Sequence, residues 1–274
     1  MVEVIEITDR RADEHIARHF GRSPIVVQLP TVFAIVAPAT HAGARLLDRC
    51  KDRLPGKFYS VLIGNLAEYL RLSSDSLLSR YLLDPGRPDR LQEFATDLES
   101  TFLRTRISTK ACSSKAICEG RLQGLIMSGV LEEKMRLMEA LTEGLPGKLF
   151  GAAQGRYCAP IASSCNMSGD PAGSIDDIER ALDFASRRGV GLVLTNSSGT
   201  GGGSNPIFGI SGTELETLRE GPGGTVKRRL LERWLHRAGE DRLQQAAARI
   251  GSTGPRDSLR VSASFESIAP PVMP

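Results

Sequence analysis

Three cations fall within seven residues in Lys51-Asp-Arg53-Leu-Pro-Gly-Lys57, at the end of a helical stretch and before an apolar run. Arginine offers a planar fork of donors and lysine a point charge, the combination a polyphosphate needs. A basic helix C-terminus has the same look, because cations there are favoured by the helix dipole. Spacing alone leaves both readings open. A second candidate, Ile161 to Pro171 (IASSCNMSGDP), sets Ser163, Ser164, Asn166 and Ser168 after an apolar run. Their neutral donors and acceptors can position a substrate or simply close a turn. A third, SSGTGGGSN at 197–205, has four glycines in nine residues. Glycine lets backbone N–H groups approach an anion closely, but neither G-x-x-x-x-G-K-[ST] nor G-x-G-x-x-G is present, so a flexible loop is the alternative.

Other constellations carry less. His15 and His19 are spaced i, i+4 on one helix face, but no carboxylate or cysteine near them in sequence completes a metal set, which leaves a surface helix. Cys165 with His41 has no spacing that recommends a nucleophile dyad.

The elements that must hold these residues follow from hydrophobic period. Ile25 to Leu29 reads as a buried strand, residues 40–54 as a helix stopped by Pro55-Gly56, and Phe58 to Ile63 as the next strand. The stretch 66–150 reads as mostly helical, with RLQEFATDLESTFLRT and GVLEEKMRLMEALTEGL carrying apolar residues every three to four positions. Strands return at 157–164, 191–195 and 206–210, with a helix from Ser174 to Arg187 capped by Ser174 and Asp177. A last helix, Thr225 to about Ile250, has Val226, Leu230, Trp234, Leu235 and Leu243 as its apolar stripe.

The 274 residues, 41% hydrophobic, suffice for one ordinary core. Five cysteines without a C-x-x-C pair indicate neither a disulfide framework nor a zinc ribbon and fit a reducing cytoplasm. No apolar run approaches the roughly 20 residues of a membrane helix, so no membrane partner is expected. The net charge of +3 is unevenly placed, with nine Lys/Arg against four Asp/Glu from Lys227 to Arg260. That excess suits RNA or a solvated helix face, and no aromatics are interleaved for base stacking.

Read in order, these segments resemble the YrdC-like family of threonylcarbamoyl-AMP synthases. The family's K-x-R-x-x-x-K and strand is similar to Lys51 to Lys57 followed by FYSVLI, and its S-A-N-x-S-G to Ser164-Cys165-Asn166-Met167-Ser168-Gly169. Its S-T-[VI] is similar to Ser204-Asn205-Pro206-Ile207, and its L-R-x-G to Leu218-Arg219-Glu220-Gly221. The opening P-T-[DE]-T-V-Y-G-L is kept only in part, with Thr31 on the second threonine, Pro30 in place of the acid and Ala34 in place of the glycine. P-G-P-L-T has only Leu145-Pro-Gly-Lys-Leu149 as a degenerate counterpart.

The resemblance implies an α/β fold, one YrdC-like domain at 24–250 with a divergent helical middle at 66–150, an N-terminal extension at 1–23 and a flexible tail at 251–274. It implies a twisted mixed sheet with flanking helices and a concave nucleotide-binding face. It further implies a nucleotidyltransferase that uses ATP with Mg²⁺, bicarbonate and an amino acid, L-threonine first, to form a carbamoyl adenylate with release of pyrophosphate, as in tRNA modification. Lys51, Arg53 and Lys57 would then act in catalysis, Ser164, Asn166, Ser168, Ser204 and Arg219 would hold nucleotide and carbamate, and Thr31 and Ser60 the amino acid. The altered motifs leave two further expectations: a scaffold redirected to another amine or carbamoyl donor, and a non-catalytic RNA-binding module.

Overall fold

The computed structural model describes residues 2–73, 76–107, 115–149, 157–197 and 202–252. Its strands are β1 (Glu3–Glu6), β2 (Ile25–Gln28), β3 (Phe33–Ala37), β4 (Ser60–Ile63), β5 (Phe102–Arg106), β6 (Ile117–Cys118), β7 (Arg121–Ile126), β8 (Ile161–Ser164), β9 (Leu192–Thr195), β10 (Ile207–Ser211) and β11 (Glu214–Arg219). Its helices are α1 (Ala12–His19), α2 (His41–Lys51), α3 (Leu66–Leu72), α4 (Ser76–Leu82), α5 (Asp89–Asp97), α6 (Gly129–Glu143), α7 (Ile178–Arg187) and α8 (Gly224–Ser252).

All strands join one mixed sheet in the order β1-β9-β2-β3-β8-β4-β7-β5-β10-β11, with β6 beside β7. Strand alternation sends successive side chains to opposite faces, and this divides the core in two. On one face Val26, Val61 and Ile63 pack with Ala44 and Leu47 of α2, Phe94 of α5, Phe184 of α7 and Trp234 of α8. On the other, Ile25, Val27 and Leu62 pack with Ile16 of α1 and with Leu131, Met135 and Met138 of α6. Each such buried side chain contributes about 1.5–3 kcal/mol of hydrophobic stabilisation. Among the described residues α1 and α6 are the helices that share the second core, and the same face carries a cavity. Among the described residues no helix is long and apolar enough to cross a membrane.

The middle of the chain departs from the helical expectation. It holds α3 to α6, but β5, β6 and β7 run through it, and β5 and β7 lie inside the sheet between β4 and β10. The apolar spacing in RLQEFATDLESTFLRT spans two elements: α5 ends at Asp97, and Phe102 to Arg106 then alternates as a strand, paired with β7 from Phe102↔Leu125 to Arg106↔Arg121. Tertiary pairing here overrides local period.

At the N-terminus, β1 pairs in parallel with β9, and Ile16 of α1 is fully buried. The cap of α7 is Asp177 alone, whose side chain accepts Arg180 N at 2.9 Å, so this helix begins later than Ser174. The buried stripe of α8 is Leu231, Trp234, Leu235 and Ala238, whereas Val226 and Leu243 are exposed. Residues 253–274 and 198–201, the latter in the glycine-rich segment, lie outside the described residues.

Candidate functional site

Helix α2 and the β8 strand end supply one wall of the site. Thr40 caps α2 by accepting Gly43 N at 3.0 Å, and Asp52 ends it in the left-handed region at φ 45°. Lys51, the last residue of α2, is thereby buried at 2% exposure against the loop after β8. Its ammonium donates to Ser164 O, to Asn166 O at 2.5 Å and to Asn166 Oδ1 at 3.2 Å. An ammonium has three N–H donors, and all three are used in holding this loop. Burial, reinforced by neighbouring Arg53, pushes Lys51 down to about 8. Ser164 Oγ donates to Asn166 Oδ1 at 2.6 Å, and Ser168 N donates to Lys51 O at 3.1 Å, so the loop and the helix end clasp each other.

Arg53 leaves α2 in the other direction. Its guanidinium donates from Nη1 to Ser163 Oγ at 3.1 Å and from Nη2 to Phe58 O, and it lies 4.0 Å from the Tyr59 ring centroid. Burial lowers its pKa from the usual arginine value. Lys57 is exposed in the loop before β4.

The opposite wall comes from β11 and the segment before β10. Arg219 donates from Nε and Nη2 to Asn205 O at 2.9 and 2.6 Å, with its guanidinium 5.8 Å from the Phe102 ring centroid. Asn205 Oδ1 in turn accepts from Thr31 Oγ1 at 2.9 Å. Burial, and then the like charge of Arg104, lowers the Arg219 pKa. Gly221 explains the glycine of L-R-x-G: a Cβ there would lie 2.5 Å from Ser204 O and 2.6 Å from Pro206 N, so no larger residue lets the two segments approach.

Between the walls lies a cavity of about 210 Å³ on the second face of the sheet, floored by Ala34, Leu62 and Ala162. Of the residues singled out from sequence, Ser60, Ser164, Ser204 and Arg219 line it, as does Ser163. Thr31 reaches it through Asn205, Arg53 through Ser163, and Lys51 and Asn166 through Ser164. Among the described residues Ser168 bonds to Leu54 N and Lys51 O, behind the loop. The 145–149 segment packs elsewhere, Gly147 O accepting His41 N and Leu149 N donating to Ala39 O, each at 2.8 Å. Gln123 lines the cavity and Arg104 pairs with it, neither being singled out from sequence. The signal was alternation in FLRTR and RLQGLI, obscured by the helical reading of that region.

Among the described residues no carboxylate lies within ion-pair distance of Lys51, Arg53, Arg104 or Arg219. Neutral oxygens accept the hydrogen bonds of these cations, of which Lys51 is buried, Arg53 and Arg104 are partly buried and Arg219 is exposed. Cys165 is fully buried and pushed up to about 12, mainly by burial, which removes it as a nucleophile. His15 and His19 do meet a carboxylate, contrary to the sequence expectation. Folding brings Glu3 of β1 onto both, with His15 Nδ1 on Oε2 and His19 Nε2 3.4 Å from Oε1. No group of three His, Cys, Asp or Glu placed to hold a metal ion occurs among the described residues.

The architecture is that of the YrdC-like α/β fold. It is similar to a variant of P. abyssi Sua5 at TM-score 0.56 and 14% identity, covering 81% of this chain and 60% of that one. E. coli YciO is similar at TM-score 0.56 and 15% identity, covering 81% of this chain and 96% of that one. P. abyssi Sua5 complexed with L-threonine matches at TM-score 0.53 and 13% identity, covering 81% and 57%. This chain thus spans about 60% of the length of Sua5 and nearly all of YciO. No family model and no curated protein matches the sequence.

Proposed function

We propose that this protein is a nucleotidyltransferase that forms a carbamoyl adenylate from ATP, bicarbonate and an amine, L-threonine being the first candidate, and releases pyrophosphate. The observation that carries the reading is Arg219 lining the cavity with Arg53 beside it at Ser163, neither having a carboxylate within ion-pair distance among the described residues. Anionic phosphates are the complement such a site lacks. The ordered motifs resembling the YrdC-like family and the likeness of the fold to a Sua5 complexed with L-threonine support the choice of chemistry.

In this reading the amine captures bicarbonate as a carbamate, whose oxygen attacks the α-phosphorus while the bond to the pyrophosphate leaving group breaks. The protein supplies alignment and charge neutralisation rather than acid-base groups. Arg219, from within the cavity, and Arg53, at Ser163, would face the phosphates. Lys51 would act chiefly by fixing the loop that presents Ser164 and Asn166, with Ser168 behind it, Lys57 at the rim, and Ser204, Thr31 and Ser60 around the smaller substrate. Mg²⁺ would arrive on the phosphate oxygens with its waters, a mode that needs no protein cage. At about 210 Å³ the cavity is below the roughly 300–1,000 Å³ that encloses a drug-sized ligand, so it suits the reacting end while the rest of the nucleotide extends from its mouth. The test is pyrophosphate release with ATP, Mg²⁺, bicarbonate and each of the amino acids. Release above the no-amine control is expected for at least one, and a flat response across the panel contradicts the reading.

A further inference from the structure

The wall formed by β4, β7 and β5 carries a hydrogen-bond chain whose direction is set by chemistry. Arg104 donates from Nε and Nη2 to Gln123 Oε1 at 3.1 and 2.6 Å, and Gln123 Nε2 donates to Ser60 Oγ at 2.7 Å. The order follows from the sheet, because Arg104 is the register partner of Gln123 and β7 lies between β5 and β4. A guanidinium only donates, so the amide atom that faces it must be oxygen, which turns the amide nitrogen toward Ser60. Ser60 Oγ therefore accepts, and its own proton must go elsewhere. Among the described residues no acceptor stands within hydrogen-bond distance of it. Ser60 and Gln123 both line the cavity, with Arg219 on its far side.

We infer that Arg104 and Gln123 are positioning residues that hold Ser60 as a hydrogen-bond donor, so that this wall selects a ligand bearing an anionic acceptor oxygen, the carboxylate of an amino-acid substrate. The inference rests on the proposed reading of the cavity as the amine-substrate site. Arg104 takes no part in the reaction itself and acts through the orientation of one amide. Its charge adds to the same preference, since it acts on Arg219 and no carboxylate among the described residues is within ion-pair distance of either. A phosphate oxygen shares the acceptor chemistry, and the probes below separate the two sources.

The experiment follows the Gln123 side-chain amide by nitrogen-15 NMR, and affinity by calorimetry, in the full chain. The probes are the proteinogenic amino acids, L-threoninol, in which an alcohol replaces the carboxylate, and inorganic pyrophosphate. In the free protein Arg104→Leu is expected to shift the Gln123 amide signal, and Arg104→Lys, which also only donates, to restore it. At least one amino acid should perturb that signal in the wild type and bind about tenfold or more weakly to Ser60→Ala, with Ser60→Thr recovering the affinity, whereas L-threoninol should bind weakly to all. Ser60→Ala is a small change that keeps the fold, so it decides the matter even if an Arg104 variant does not fold. Three results overturn the inference: a Gln123 signal indifferent to Arg104→Leu, equal affinity of wild type and Ser60→Ala for every amino acid, or perturbation by pyrophosphate alone. Absence of pyrophosphate release from ATP beside an intact carboxylate preference would instead strike the proposed reaction and leave the Ser60 wall standing.

Discussion

The two walls of the cavity use their cations differently. At the β8 wall, the three donors of Lys51 end on Ser164 O, Asn166 O and Asn166 Oδ1, so the charge shapes a loop. At the β11 wall, Arg219 has two of its five N–H donors directed at Asn205 O and lines the cavity itself. A residue placed in a motif by resemblance is therefore not automatically a ligand contact. Neither Lys51 nor Arg219 has a carboxylate within ion-pair distance among the described residues, yet the buried Lys51 is committed to the fold and the exposed Arg219 is open to an anion.

Substitutions can break this contrast. The largest effect is expected from Lys51→Met, which takes one donor from each of three oxygens around the β8 loop. It should cost on the order of 2–3 kcal/mol in chemical denaturation and speed hydrogen exchange across 163–168. Arg219→Met should instead weaken pyrophosphate binding by calorimetry about 10- to 100-fold with a stability loss of no more than about 1 kcal/mol. If Arg219→Met destabilised as much as Lys51→Met, or Lys51→Met left exchange in the loop unchanged, the division of roles would fail.

The pH dependence sharpens the same contrast with a smaller effect. Lys51 titrates at about 8 in the folded chain against 10.5 for an ordinary lysine, because burial opposes its charge. Between those values the unfolded chain holds more protons than the folded one, so stability rises with pH. The denaturation midpoint of the wild type relative to Lys51→Met, a difference in which the opposite contribution of buried thiols such as Cys165 cancels, should rise from about pH 8 toward 10.5. The smallest effect belongs to Lys57→Ala, where an exposed side chain leaves the thermal midpoint unchanged while pyrophosphate affinity falls only slightly.

Much of the site was legible in sequence because its pieces sit at the ends of strands with clear punctuation. Ile25–Gln28, Ser60–Ile63, Ile161–Ser164, Leu192–Thr195 and Ile207–Ser211 all occur where apolar runs meet polar turns. The Lys51 and Arg219 segments, far apart in sequence, do converge on one cavity through Ser164 and Asn205. Three features were not legible, each for a physical reason. The strands β5 and β7 alternate over only five or six residues beside helices, so a longer helical period masked Arg104 and Gln123. Glu3 meets His15 and His19 because a four-residue strand pairs at the sheet edge, a long-range event that no local spacing encodes. The commitment of Lys51 to carbonyl oxygens depends on the left-handed turn at Asp52, which directs Arg53 away and leaves Lys51 facing the loop.

The proposed reaction needs one cavity, between the Ser164 loop and Arg219, to hold the reacting phosphates and the amine together. The most direct measurement is an experimental structure of the protein soaked with ATP and the amino acid that supports pyrophosphate release. Phosphate oxygens are expected within hydrogen-bond distance of Arg219 and the amino acid's carboxylate at Ser60. Nucleotide bound on any other surface, with the cavity lined by Ser60 and Arg219 left free, would contradict it.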